Sequence, residues 1–202
     1  MTTSPTNPER DALSIELASD ALSIDIDIVE SGWRNAVPDT EAACRAALAA
    51  AWAAAGAAAD TELACALGAG PAEVSVRLTD DDEVARLNAD YRDKPQATNV
   101  LSFPAMTVDM LADWPKGEPV MLGDVVMALG VLLREAETQG TPPRDHFRHL
   151  AVHGMLHLLG YDHLDDDDAA VMENLETAVL AGLGVPDPYA GSSGDTPAMA
   201  GN

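Results

Sequence analysis

Three of the chain's five histidines fall within one stretch, His153-Gly-Met-Leu-His157-Leu-Leu-Gly160-Tyr-Asp-His163. His153 and His157 are four residues apart, which on a helix places both imidazoles on one face, one turn apart. Gly160 is suited to end that helix in a left-handed conformation, so that the chain turns back and brings His163 to the same point. Three neutral imidazoles around one open position are the ligand set of a catalytic zinc, with water as the fourth ligand. The stretch therefore predicts a helix–turn zinc site.

The same histidine spacing occurs in the metzincin peptidases, whose pattern is His-Glu-x-x-His-x-x-Gly-x-x-His. In those enzymes the glutamate is the general base. Here Gly154 stands at the position of that glutamate. The metal geometry is therefore retained while the proton acceptor of a peptidase is missing.

Composition and charge limit the classes of function. The chain has 202 residues and carries 34 acidic against 11 basic side chains, a formal charge of -23, which argues against nonspecific nucleic-acid binding. No run of about twenty apolar residues occurs, and residues 1–10 lack the basic and apolar segments of a secretory signal, so we expect a cytoplasmic protein without a membrane span. Cys44 and Cys65 fall in an alanine-rich segment and are predicted to be buried free thiols.

The periodicity of apolar residues predicts a single α+β domain over residues 21–189. Residues 1–20 are predicted to be a disordered extension, and the Gly/Ser/Ala-rich residues 190–202 a flexible tail. In the domain, a small mixed four-stranded sheet is expected to pack with about five helices. Strands are predicted at 22–28, 74–78, 99–103 and 121–128, and helices at 38–67, around 84–91, and at 131–139, 142–159 and 165–183.

Three blocks of the sequence resemble the signature of the YbeY endoribonucleases, the bacterial rRNA maturation factors. The first block is Leu87-Asn-Ala-Asp-Tyr-Arg92-Asp-Lys-Pro-Gln-Ala-Thr-Asn-Val-Leu-Ser-Phe-Pro104, the second is Leu122-Gly-Asp-Val125, and the third is the three-histidine stretch. The resemblance covers roughly residues 22–188. It implies zinc-dependent cleavage of single-stranded RNA, with roles in processing the 3′ end of 16S rRNA and in late quality control of 70S ribosomes.

The same resemblance implies roles for single residues and names partners. It makes His153, His157 and His163 the ligands of one zinc ion, and Arg92 the functional arginine of the site. The implied partners are single-stranded rRNA, the ribosome and the Era GTPase. Because the chain is so acidic, we expect weak binding to naked RNA and recruitment through a protein partner.

Arg92 suits phosphodiester chemistry independently of the resemblance. The transition state at phosphorus gains negative charge, and a guanidinium offers a planar fork to two phosphate oxygens. A zinc ion would lower the pKa of its water and polarise a phosphoryl oxygen. That water and the RNA 2′-hydroxyl are both candidate nucleophiles. The alternative for Arg92 is a surface ion pair with Asp90 or Asp93.

Further polar residues near the motif have more than one interpretation. His146 and His149 share the helical face of the metal-site histidines, where they either line the cleft, support a ligand or pack the helix. Asp124 and Asp162 are candidates to orient a ligand imidazole, and Asp124 is equally suited to a strand turn. Ser102 is interpreted as structural.

Two other functions stay open on the sequence. One is a zinc-containing ribosome-assembly factor without essential catalysis, and the other is a zinc metallopeptidase that lacks the usual glutamate base. Three protein ligands rather than four favour an open metal position, and hence chemistry at the metal.

Overall fold

The structure, a computed structural model, describes residues 21–68 and 70–190. The predicted disordered extension at 1–20 lies outside the described residues. Of the predicted flexible tail, residues 191–202 lie outside them as well.

Alternating apolar residues build one mixed sheet from β1 (Leu22–Ile28), β2 (Ala72–Thr79), β3 (Val100–Pro104) and β4 (Val120–Ala128). The strand order is β1-β2-β4-β3. Strands β1, β2 and β4 run parallel, and β3 lies antiparallel to β4 at one edge. The predicted four-stranded mixed sheet is confirmed.

Eight helices accompany the sheet in the described residues: α1 (Trp33–Ala36), α2 (Thr40–Ala58), α3 (Glu62–Leu67), α4 (Asp81–Arg92), α5 (Val108–Ala112), α6 (Leu129–Gln139), α7 (Pro143–Leu158) and α8 (Asp166–Gly182). Five of them are long, as expected, and the other three, α1, α3 and α5, have only 4, 6 and 5 residues. The predicted helix at 38–67 is two helices, because the chain turns at Ala59 in a left-handed conformation. No helix of the described part is long and apolar enough to cross a membrane.

The two faces of the sheet have different surroundings. Val76 and Val125 belong to the main core, which includes residues of α2 and α7. The opposite face has a smaller cluster, in which Val84 of α4 packs with Leu101 and Val126. Burying each of these Val and Leu side chains contributes about 1.5–3 kcal/mol. The sheet thus offers α7, the helix of the histidines, a continuous apolar surface.

The two cysteines differ in their surroundings. Cys44 is buried in α2, and this burial raises the pKa of its thiol to about 12. Cys65 is exposed, so its predicted burial was wrong. The reason is the break before α3, because this short helix buries Leu63 and Ala64 and turns Cys65 outward.

We expect the folded protein to react rapidly with one equivalent of an aromatic disulfide reagent at about pH 8, through Cys65 alone. The thiolate is the reactive form, and Cys44 has neither the solvent access nor the pKa to supply it. Absorbance of the released thiolate measures the reaction. Cys65→Ser should abolish the rapid phase and Cys44→Ala should retain it. Two rapidly reacting thiols in the folded protein would contradict the structure.

Candidate functional site

Helix α7 approaches the sheet at a point where only glycine fits. A Cβ atom at Gly154 would lie 2.9 Å from Val125 Cγ1, 3.3 Å from Ser102 Oγ and 3.4 Å from Val100 Cγ2. The Ser102 hydroxyl donates a hydrogen bond of 3.1 Å to the Gly154 carbonyl, across the same contact. Position 154 therefore faces the sheet, with no room for the glutamate base of a peptidase.

The end of α7 and the turn after it bring three imidazoles together. Gly160 has a φ of 84°, the left-handed conformation expected for this turn. The Thr61 hydroxyl holds the turn by donating a hydrogen bond of 2.7 Å to the Leu159 carbonyl. The ring centroid of His163 then lies 5.7 Å from that of His153 and 5.1 Å from that of His157.

The three histidines form a group that could bind a metal ion. Each offers one ring nitrogen, and these atoms lie within 4.8 Å of one another. The Nε2 atoms of His153 and His157 are 3.0 Å apart. Two nitrogens bound to one tetrahedral zinc at normal distances lie about 3.3 Å apart. His163 Nε2 is buried and has no hydrogen-bond partner among the described residues, so it is available as a ligand atom.

The hydrogen bonds of the other ring nitrogens support the same conclusion. His153 Nδ1 lies 2.8 Å from a carboxylate oxygen of Glu176, and His157 Nδ1 lies 3.0 Å from the Tyr161 carbonyl. Both partners only accept, so both Nδ1 atoms must carry the hydrogen. In the neutral rings the two Nε2 atoms then face each other with lone pairs, an arrangement that a bound cation would relieve.

His157 also has the protonation state of a metal ligand. Burial, together with the neighbouring His153 and His163, lowers the pKa of His157 to about 4. The ring is therefore neutral at pH 7, as metal binding requires.

Glu176 of α8 is a site residue that the sequence reasoning missed. Its side chain is fully buried behind His153. Burial alone would raise the pKa of Glu176, but hydrogen bonds with His149 and His153 outweigh it and hold that pKa well below its usual value. A signal was present, because Glu176 lies between Met172 and Val179 on the buried side of an amphipathic helix, where a charged residue is unusual.

The two remaining histidines of α7 have different roles. His149 Nε2 lies 3.3 Å from the second oxygen of Glu176, so His149 belongs to the layer behind the metal-binding group. His146 Nε2 lies 2.8 Å from Glu135 Oε2, which also accepts a hydrogen bond of 3.0 Å from Asn99 Nδ2. His146 therefore packs α7 against α6 and the start of β3.

A cleft of about 300 Å³ opens beside His153 and His157, and Arg92 lines it with Ser102 and Asp162. Arg92 is the last residue of α4, and its side chain is partly buried, which lowers the pKa of the guanidinium. It forms no ion pair with Asp90, Asp93 or any other residue of the described part.

The two aspartates considered as supports for an imidazole are placed differently. Asp162 lines the cleft, and its Oδ1 accepts a hydrogen bond of 2.8 Å from the His163 backbone N–H. Asp124 is exposed on the opposite face of the sheet, in a groove with Asp25 and Arg77. Of the two interpretations left open for Asp124, contact with a ligand imidazole does not fit this position. Strand β4 has one extra residue opposite Glu73 and Val74 of β2, and this residue shifts the strand register just before Asp124.

Comparison with known proteins identifies the family of the chain. The sequence model of the family described as "Endoribonuclease YbeY" matches residues 37–184. The chain belongs to the YbeY endoribonuclease family. Endoribonuclease YbeY of Paramagnetospirillum magneticum is 46% identical over 173 residues, covering 83% of this chain and 96% of that protein. The corresponding protein of Rhizorhabdus wittichii is 54% identical over 121 residues, covering 59% of this chain and 72% of that protein. That of Bradyrhizobium diazoefficiens is 45% identical over 168 residues, covering 83% of this chain and 85% of that protein.

We expect Gly154→Ala to lower the free energy of unfolding by about 2 kcal/mol, because the added methyl group forces α7 away from Val125. Gly182→Ala is the matched control. It is also a helical glycine, but its Cβ would meet nothing within 4 Å. There the gain in helix propensity, up to about 1 kcal/mol, should dominate. Urea denaturation measures both variants, and equal stability of the two would contradict the close contact.

Proposed function

We propose that this YbeY family member is a zinc-dependent endoribonuclease that cleaves single-stranded RNA in rRNA maturation. The observation that carries the proposal is the pair of facing Nε2 atoms of His153 and His157, 3.0 Å apart, with His163 beside them. His153, His157 and His163 would hold one zinc ion, with water as the fourth ligand. Membership in a family of endoribonucleases supports the reaction class.

A zinc ion held by these imidazoles would supply Lewis acidity at a phosphoryl oxygen and at the attacking water or hydroxyl. The chain's own contribution at phosphorus is Arg92, which lines the same cleft. Its guanidinium can donate two parallel hydrogen bonds to non-bridging phosphate oxygens, whose negative charge grows in the transition state. Because Arg92 has no acidic partner in the described residues, this charge is available to the substrate.

The depth of the site favours single-stranded substrates. His153 is only 3% exposed, and His157 and His163 are half-buried, so a phosphodiester reaches these histidines where the backbone bends into the cleft. A single strand can splay its nucleotides and enter, whereas the phosphates of a duplex follow a regular helix.

Water and the RNA 2′-hydroxyl both suit the site as nucleophile. The product ends distinguish them, because attack by the 2′-hydroxyl leaves a 2′,3′-cyclic phosphate.

We further propose the 3′ end of 16S rRNA and defective 70S ribosomes as the substrates in the cytoplasm, with the ribosome and the Era GTPase as partners. The formal charge of -23 supports recruitment through a protein. Affinity for naked RNA comes largely from basic residues that neutralise phosphates, and this chain has few.

The purified protein should contain about one zinc per chain and cleave a single-stranded fragment of precursor 16S rRNA. A chelator should stop the cleavage, and added zinc should restore it, because the metal ion would supply the Lewis acidity that either nucleophile needs. The same sequence annealed to its complement should resist cleavage. Undiminished cleavage after complete removal of the metal, or by the His157→Ala variant, would contradict the proposal.

We expect Arg92→Ala to lower kcat/KM for the single-stranded fragment by about 100-fold, because one charge that stabilises the transition state is lost. Arg86→Ala is the control, since Arg86 is an exposed arginine of the same helix. It should have nearly normal activity. Both variants should bind zinc as the wild type does, and an Arg92→Ala enzyme with normal kcat/KM would refute the role of Arg92.

A further inference from the structure

The segment after α8 returns to the back of the metal-binding group. Val185 is buried, and its N–H donates a hydrogen bond of 2.9 Å to the Leu180 carbonyl, which turns the chain back along the helix. The Tyr189 hydroxyl then donates a hydrogen bond to Glu176 Oε2. The Tyr189 ring also packs edge-on against His149, with centroids 5.8 Å apart. Tyr189 lies beyond the residues that the family model matches, which end at 184.

Glu176 is surrounded by donors that carry no fixed charge. Its Oε1 lies 2.8 Å from His153 Nδ1, and its Oε2 is shared by His149 Nε2 and the Tyr189 hydroxyl. Burial and the charge of Glu176 raise the pKa of Tyr189, so the hydroxyl stays protonated and donates. Among the described residues, no Lys or Arg forms an ion pair with Glu176.

A fully buried carboxylate is costly unless a cation neutralises it. The position available for such a cation is on the far side of the His153 ring, where Nε2 faces the other ligand nitrogens. A carboxylate that accepts from the Nδ1–H of a metal ligand fixes its tautomer and makes Nε2 a stronger donor to the metal.

We propose that Glu176 is a positioning residue for the metal, and that Tyr189 makes the C-terminal segment, residues 185–190, part of the metal site. The inference rests on the proposed zinc site. The Tyr189 hydroxyl anchors Oε2, so that Oε1 stays directed at His153. Without that anchor Oε2 keeps only the 3.3 Å contact with His149 Nε2, so the carboxylate is less restrained and the His153 ring loses part of its fixed orientation.

Competition with a chromogenic chelator tests the proposal through zinc affinity. We expect Glu176→Gln to weaken zinc binding by about 10- to 100-fold. Tyr189→Phe, which removes a single oxygen, should weaken it roughly fivefold. Matched controls are Glu137→Gln and Tyr91→Phe, which change an exposed glutamate on α6 and an exposed tyrosine on α4. Both controls should bind zinc as the wild type does.

Long-range ¹H–¹⁵N spectra of the metal-free protein give a readout that does not depend on zinc. His153 should carry its hydrogen on Nδ1 in the wild type, and in Glu176→Gln a population with the hydrogen on Nε2 should appear. If Glu176→Gln does not fold, the same measurements on Tyr189→Phe test the positioning role of Glu176.

The outcomes separate the two proposals. If the wild type binds zinc and the folded variants bind it equally tightly, the positioning role is wrong while the zinc site stands. If the wild type itself binds no zinc, the proposed function fails, and the tautomer of His153 decides whether Glu176 positions that ring.

Discussion

The contact between α7 and the sheet at Gly154 is the constraint on which the metal-binding group depends. With no side chain at that position, the helix lies directly on Val100, Ser102 and Val125. One residue earlier and three residues later, His153 and His157 project beside the edge strand β3, where the cleft opens. The left-handed turn at Gly160 then returns the chain and adds His163. A bulkier residue at position 154 would move the imidazoles of His153 and His157 relative to Arg92, which belongs to a different helix.

The electrostatics of the site differ from those of the chain as a whole. The formal charge is -23, yet the cleft places His153 and His157 beside Arg92, which has no acidic partner in the described part, and Asp162 is the one acidic side chain among the described residues that line it. Glu176, the carboxylate in contact with His149 and His153, is behind these rings and fully buried, so it acts on His153 and not on a substrate. An acidic protein can therefore present a site that attracts phosphate, provided that a metal ion occupies the histidines.

Local patterns predicted most of the fold and the centre of the site. His153, His157 and Gly160 lie close together in the sequence, and the alternation of apolar residues in a β-strand is equally local. The metal motif and the strands could therefore be predicted from local patterns. Glu176 and Tyr189 could not be placed, because α8 and the segment after it meet α7 only through tertiary packing. The two interpretations of Asp124 could not be separated from the sequence, because the face that its side chain takes depends on the register of β4, which has one extra residue just before it. The predicted burial of Cys65 was wrong because the alanine-rich segment forms two helices. A run of alanines has no periodic pattern of apolar and polar residues that would indicate such a break.

X-ray absorption at the zinc edge of the loaded protein tests the central claim, an open metal position formed by three histidines, most directly. The account predicts four light-atom ligands at about 2.0–2.1 Å, of which three show the multiple scattering of imidazole and one is a water oxygen. A sulfur ligand, or a fourth imidazole contributed by His149, would contradict it, because either would close the position at which the substrate must meet the metal.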